Sequence, residues 1–592
     1  MKSFWKITFA SLTGTILASF VMFFLMLIIL FGIVNSAKNS DEAEIESQSI
    51  LKLDFDTKIV DRASDNPLED FDFATMNPNK SVGLNKILEN ISKAKADEKI
   101  EGIYLELKGL DAGISTITEI RNALLDFKES GKFIISYSNY YSQATYFLAS
   151  VSDKIYLNPE GGLDFVGLSA QLMFFKNAFD KFGIKPMIIR HGKFKSAVEP
   201  FMLDKMSEAN REQVQKYVGS IWNSILNGIS KERHINIQEL NKFADNLIIK
   251  DANSALENGL IDEIKYYDEI EKILKVESKI KKDKKLKFVS LSKYNKVPKK
   301  KEEGEKGLAK DKIAVIYAQG EIVMGEGSDG NIGGDGLAKT IRKARNDEKI
   351  KAIVLRINSP GGSALASEII WREVVLAKQE KPVIVSMGDV AASGGYYIAC
   401  AADSILASEN TITGSIGVFG VLFNIKELLN NKIGITTDKV NTNKHSDIGS
   451  TFRNMEIEEE AYIQQMIEKI YSTFINHVAD GRGMTAEEVD AIGQGRVWSG
   501  ENALKNGLVD KIGGLNDAIK IAAEKAKLNK YRIIEMPKKK EAFEKIIEDL
   551  KNMKVNYIKS ELGELENFYI MYQSLSNMKG IQARLPLEIE IH

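Results

Sequence analysis

A chain of 592 residues exceeds what one hydrophobic core supports, so several folding units are expected. Apolar residues make up 44% and charged residues 27%, and the formal net charge of −2 argues against a nucleic-acid binder. The lone cysteine, Cys400, excludes an internal disulfide framework or a cysteine-based metal site. The five histidines, at 191, 234, 445, 477 and 592, show no ligand spacing such as HExxH, so a zinc enzyme is not expected.

Residues 7 to 34, "ITFASLTGTILASFVMFFLMLIILFGIV", carry no charge. That run exceeds both the roughly 20 residues that cross a bilayer and the about 7 to 15 of a secretory h-region. Lys2 and Lys6 precede it and the acidic "DEAEIE" follows, which puts the N-terminus in the cytoplasm and the body outside. A cleaved signal peptide is the alternative, with "NSA" at 35 to 37 as a poor cleavage site.

The chain then repeats itself. "ISKAKADEKIEGIYLELKG" (91 to 109) aligns without a gap on "IRKARNDEKIKAIVLRINS" (341 to 359). "GKFIISYSN" matches "KPVIVSMGD", "YFLASVSDKIYL" matches "YYIACAADSILA", and "ALENGLIDEI" matches "ALKNGLVDKI". A period this long means two copies of one domain rather than a solenoid. Each copy alternates aliphatic strands with helical segments, which predicts α/β units with a buried, largely parallel sheet.

Late in the first copy stands "HGKFKSAVEPF" (191 to 201). Lys195 can act as a base only when neutral, which requires burial, and Phe194, Ala197, Val198 and Phe201 are apolar enough to provide it. A surface lysine is the ordinary alternative. Residues 279 to 312, dense in lysine, read as a solvated linker.

The second copy carries three glycine-rich stretches. In "INSPGGS" (357 to 363), Pro360-Gly361-Gly362 is expected to form a turn with exposed amides suited to an oxyanion hole, or simply a tight turn. "MGDVAASGGYYIACAAD" (387 to 403) puts Ser393 at a strand-to-helix junction, where a capping serine and a nucleophile are both possible. "TITGSIGVFG" (411 to 420) holds Ser415 where it can hydrogen-bond a neighbour. Ser393 aligns with Gln143 and "AASGG" with "YSQAT", so only the second copy has the serine–glycine apparatus. A histidine base would have to be His191 or His445, and neither has an evident acidic partner in sequence. From Lys538 onward the chain is charged and helix-prone, with Leu550, Met553 and Val555 as a packing face.

"GKFKSAVEPF", "SPGGSALASE", "MGDVAASGGYYIA" and "TGSIGVFG", in this order behind an apolar N-terminal segment and within a tandem repeat, resemble the long form of the signal peptide peptidase A (protease IV) family. The resemblance covers nearly all of residues 45 to 530 and implies the Clp protease–crotonase fold, present twice. It implies a serine–lysine endopeptidase that degrades signal peptides left in the bacterial inner membrane, and other apolar peptides, from the extracytoplasmic side. Carried over, Ser393 is the nucleophile, Lys195 the general base and Ser415 the residue that orients the lysine, while Gly361, Gly362 and Gly394 line the oxyanion hole. No metal or cofactor is implied, and a homotetramer is. Phe194 stands where the family commonly has tyrosine. The division that follows is an anchor over 1–40, a first repeat over 41–278, a linker over 279–312, a second repeat over 313–537 and a helical extension over 538–592. Within the same fold, a crotonase-type enzyme acting on an acyl-CoA would need neither Ser393 nor Lys195. A non-catalytic membrane scaffold and a Ser393–His445 dyad are further alternatives.

Overall fold

The aliphatic runs of both copies form buried parallel strands in the computed structural model, which describes residues 2–38, 43–63, 71–72, 77–78, 81–281, 283–298, 309–328, 330–537 and 581–585. The first copy builds a six-stranded parallel sheet in the order Glu263–Ile264, Lys154–Leu163, Phe133–Tyr141, Ile100–Glu106, Ser49–Leu53, Phe288–Ser290. The second builds an eight-stranded sheet whose main path is Val497–Ser499, Ile412–Gly414, Val383–Ala392, Ile350–Ser359, Lys312–Gln319, Arg532–Met536. Side chains alternate across a strand, so both faces are apolar and each is covered by helices. In the second sheet Ala314 and Ile316 face the helices Gly334–Asn346 and Ala364–Lys378, while Ile313 and Val315 face Leu515–Lys525.

The copies share their fastenings as well as their strands. Lys132 Nζ donates to Ala94 O and Asp97 O, and Lys381 Nζ donates to Ala344 O and Asp347 O. Tyr146 OH donates to Leu260 O as Tyr396 OH does to Leu508 O. These pairs correct the gapless match of "GKFIISYSN" to "KPVIVSMGD". Fourteen residues separate Lys132 from Tyr146, but fifteen separate Lys381 from Tyr396, so the second copy holds one extra residue within the stretch that ends at Ser393.

The repeats are locked together by buried charge. Arg356, on a second-repeat strand, reaches Asp61 and Glu119 of the first repeat at 2.7 Å each. Asp389 accepts from the backbone N–H and the hydroxyl of Thr116 at 2.9 and 2.7 Å. Removing one partner from such a buried pair costs about 3–5 kcal/mol, because the other charge stays buried and uncompensated.

Three sequence expectations change. Phe288–Ser290, inside the lysine-rich stretch, is an edge strand paired to Ser49–Leu53, since Phe288 and Val289 supply apolar β-formers among the lysines. Pro360-Gly361-Gly362 does not form an exposed turn: Gly361–Ser363 is a buried extended strand. Of residues 538–592, the described part includes the strand Gln582–Arg584 rather than helix, consistent with the two-residue alternation in "IQARL". The expected packing face at Leu550, Met553 and Val555 lies outside the described residues.

A third, mixed sheet joins the copies, in the order Asn331–Gly333, Glu321–Val323, Gly361–Ser363, Gln582–Arg584, Phe419–Asn424, Lys185–Arg190. Its last strand belongs to the first repeat and runs antiparallel to Phe419–Asn424 of the second. This pairing carries the following residues, including Lys195, across to the second repeat. At the other end of the chain, Lys2–Lys38 is one helix, with a span from Phe4 to Met22 of mean hydropathy 1.3 and no burial against the body.

Candidate active site

Lys195 arrives on a short loop after the crossing strand Lys185–Arg190. The loop is fixed against the turn at Gln494-Gly495: Phe194 N–H donates to Gln494 O at 2.9 Å, and a Cβ on Gly495 would stand 2.6 Å from Lys195 Cα. Only glycine fits there, and its φ of +82° also favours glycine. Ala197, Val198 and Phe201 form an apolar cluster with Phe419 and Val421, and Lys195 Nζ lies 5.9 Å from the Phe419 ring centre. Phe194, expected to help bury the lysine, is only half-buried and packs beneath the Arg496 guanidinium at 4.5 Å.

Lys195 is fully buried, and its Nζ meets three oxygens: Ser393 Oγ at 2.8 Å, Ser415 O at 3.1 Å and Ser415 Oγ at 3.1 Å. Among the described residues no carboxylate forms an ion pair with it. Burial therefore acts unopposed and pushes the ammonium well below the ordinary lysine value of 10.5. A neutral amine in this position can accept the serine proton.

Ser393 sits between the strand Val383–Ala392 and the helix Gly394–Ala399 with φ 55° and ψ −114°. A non-glycine residue in such a region stores about 1–3 kcal/mol of strain. Its N–H donates to Gly414 O at 2.8 Å, but its side chain makes no capping bond to the helix. The capping reading of Ser393 therefore fails. By contrast, Ser142 caps the matching first-repeat helix through Thr145 N–H. Ser415 is also at positive φ (50°), held by its N–H donating to Arg496 O at 2.7 Å. Of eight described non-glycine residues at positive φ, three (Ser393, Ser415 and Gln494) surround Lys195.

The three expected oxyanion glycines converge beside Ser393, with one change of role. Gly361 N–H donates to Ser359 Oγ at 3.1 Å, so its amide is engaged rather than presented. What Gly361 provides is close approach: at φ +96°, a Cβ there would stand 2.1 Å from Ala583 O and 2.7 Å from Gly394 N. The amides of Gly362 and Gly394 remain as candidate donors. The histidines are elsewhere. His191 Nδ1 pairs with Glu468 at 2.7 Å and stacks on Tyr471, and His445 Nδ1 pairs with Glu459 at 3.2 Å. Each thus has an acidic partner after all, and among the described residues neither hydrogen-bonds Ser393. Sequence reading missed the Gln494-Gly495 turn, although "GQGR" is the glycine punctuation that marks such a close approach.

Residues 126–281 and 376–529 match the model of peptidase family S49. Protease 4 of Salmonella typhi is 39% identical over 529 residues, spanning 86% of this chain and 84% of that protein. The chain belongs to peptidase family S49. Residues 303–411 of this S49 peptidase also match the Clp protease model, in keeping with the α/β fold built twice. Protease 4 of Haemophilus influenzae is 35% identical over 518 residues, covering 85% of this chain and 83% of its own length. Serine protease SPPA, chloroplastic, of Arabidopsis thaliana is 34% identical over 515 residues, covering 86% and 74%. This S49 peptidase is a serine protease.

Proposed function

We propose that this peptidase works through a dyad divided between its repeats, with Ser393 of the second as nucleophile and Lys195 of the first as general base. The observation that carries the reading is the fully buried Lys195 Nζ, 2.8 Å from Ser393 Oγ and unpaired with any carboxylate among the described residues. Neutral Lys195 takes the hydroxyl proton as Oγ attacks a peptide carbonyl, and the amides of Gly362 and Gly394 stabilise the oxyanion. Lys195 then returns the proton to the leaving amine, and a water deprotonated by the same lysine hydrolyses the acyl-enzyme. Ser415 orients the amine through its hydroxyl and carbonyl oxygens.

The helix Lys2–Lys38 supports a single-pass anchor in the bacterial inner membrane, cytoplasmic at its N-terminus with the catalytic body on the extracytoplasmic side. Anchoring there keeps the site near cleaved signal peptides and other apolar peptides, the substrate class we assign. We also adopt the homotetramer implied by the family resemblance, and the division into anchor, two repeats, linker and extension, with the edge strand Phe288–Ser290 counted in the first repeat. The test is hydrolysis of a membrane-embedded signal peptide by the full chain reconstituted in lipid. The wild-type cuts it; Ser393→Ala and Lys195→Ala do not. Turnover by Lys195→Ala near the wild-type rate would remove the dyad.

A further inference from the structure

The first-repeat helix Glu208–Arg233 buries Val214, Tyr217 and Ile221 in the core, yet beside them Gln213 is only 2% exposed. A buried amide is costly unless its donors and acceptor are met. Here both ends are. Nε2 lies 3.1 Å from Phe194 O, 2.9 Å from Ser196 Oγ and 3.1 Å from Asn210 Oδ1, so its hydrogens serve both residues flanking Lys195. Oε1 accepts from Val497 N–H of the second repeat at 3.2 Å. A carbonyl only accepts and a backbone N–H only donates, so one orientation of the amide fits.

Val497 follows Arg496, whose carbonyl accepts from Ser415 N–H, and Ser415 in turn meets Lys195 Nζ. Gln213 therefore links the loop that carries the amine to the segment that fixes Ser415. The neighbouring charges are engaged. Glu212 pairs with Arg496 at 2.6 Å, and Glu199 accepts from the Ser207 hydroxyl and Asn210 Nδ2 at 2.6 and 2.9 Å. Arg190 donates to Lys195 O at 3.0 Å, and Lys193 Nζ stands 5.4 Å from the Phe194 ring centre. The second repeat offers a comparison in its helix Ile457–Arg482. Arg233 donates to Gly259 O and pairs with Asp262, as Arg482 does with Gly507 O and Asp510. Twenty residues before these arginines stand Gln213 and Tyr462, and Tyr462 is 58% exposed. The buried amide belongs to the copy that carries the lysine.

We propose that Gln213 is a positioning residue for proton transfer, holding the Lys195 loop and the Ser415–Arg496 contact in one register so that the amine stays shielded from water and aimed at Ser393 Oγ. The inference rests on the Ser393–Lys195 reading. Gln213 touches none of the reacting atoms; it acts through Phe194 O, Ser196 Oγ and Val497 N–H. Removing its amide loosens the loop and lets water reach Nζ, which raises the folded pKa of Lys195 back toward 10.5.

The test measures kcat and KM for an unfolded apolar reporter peptide across pH, using the full chain in detergent micelles, with thermal melting of each sample. Gln213→Met keeps the bulk and removes the amide's hydrogen bonds. It should lower kcat by about 10- to 100-fold with KM nearly unchanged, and move the acid limb of the kcat/KM profile to higher pH. Gln213→Asn, whose amide is one methylene short, should move the limb the same way by less, and it decides alone if Gln213→Met does not fold. Ser220→Ala, seven residues along the same helix, removes a 2.8 Å contact to Ser499 and should lower the melting temperature without moving the limb. An acid limb at its wild-type pH in the folded Gln213 variant, whatever its melting temperature, overturns the positioning role and leaves the dyad standing. Lys195→Met is run alongside: if it cuts the reporter near the wild-type rate, the dyad reading falls and this inference with it.

Discussion

At the same strand-to-helix junction the first repeat carries Gln143 and the second carries Ser393. Gln143 Oε1 accepts from Val166 N–H and Gly167 N–H at 2.8 and 2.7 Å, and its amide donates to Gly167 O at 2.8 Å. Ser393 Oγ lies 3.4 Å from Gly417 O, 250 residues beyond Gly167, and turns to Lys195 instead. In the first copy a side chain ties the junction to its own loop. In the second the junction has one more residue, a strained backbone and a hydroxyl left for an incoming amine. Duplication kept the fastenings at Lys132 and Lys381 and at Tyr146 and Tyr396. The chemistry diverged where the backbone changed length.

That contrast can be broken by mutation. The largest effect is expected at the dyad: Ser393→Ala or Lys195→Met should lower kcat by about 10⁴-fold or more, as for other nucleophile–base units that act together, measured by peptide hydrolysis. Gly495→Ala comes next, because its Cβ would meet the Lys195 backbone; thermal melting should show a fold retained and hydrolysis should fall sharply. Ser415→Ala removes one hydrogen bond to the amine, worth about 1.5–3 kcal/mol if the bond is to the charged form, or about 10- to 100-fold in kcat. Gln143→Ala should leave hydrolysis unchanged and cost about 0.5–1.5 kcal/mol of stability in denaturant unfolding, since the Val166 and Gly167 amides lose a part-buried acceptor. Loss of activity in Gln143→Ala would mean the first repeat does chemistry at its own junction.

The sign of the pH dependence follows from burial. The folded pKa of Lys195 is lowered, so Lys195 penalises stability below the pKa of an unfolded lysine and not above it. Activity should rise with pH as the folded lysine loses its proton, and be lost on acidification below that depressed pKa.

Much of this was legible in the sequence. "AIVLRI" and "GIYLEL" are buried strands because aliphatic runs of that length suit a sheet covered on both faces. "AASGGYY" is a strand-to-helix junction because small residues give way there to a helix-forming run. The pairing of Lys185–Arg190 with Phe419–Asn424 was not legible, since it joins segments far apart in the chain and leaves no local periodicity. Nor was the extended Gly361–Ser363: two glycines read as a turn until Gln582–Arg584 supplies the partner strand. The one-residue offset escaped because "GKF" and "KPV" match equally well without a gap.

The division of the site between repeats is tested most directly by the rate and position of labelling with a fluorophosphonate across pH. The expected label is on Ser393, with a rate that rises with pH through a pKa well below 10.5, vanishes in Lys195→Met and persists in His191→Ala and His445→Ala. A label on another serine, or wild-type labelling of Ser393 in Lys195→Met, would contradict it.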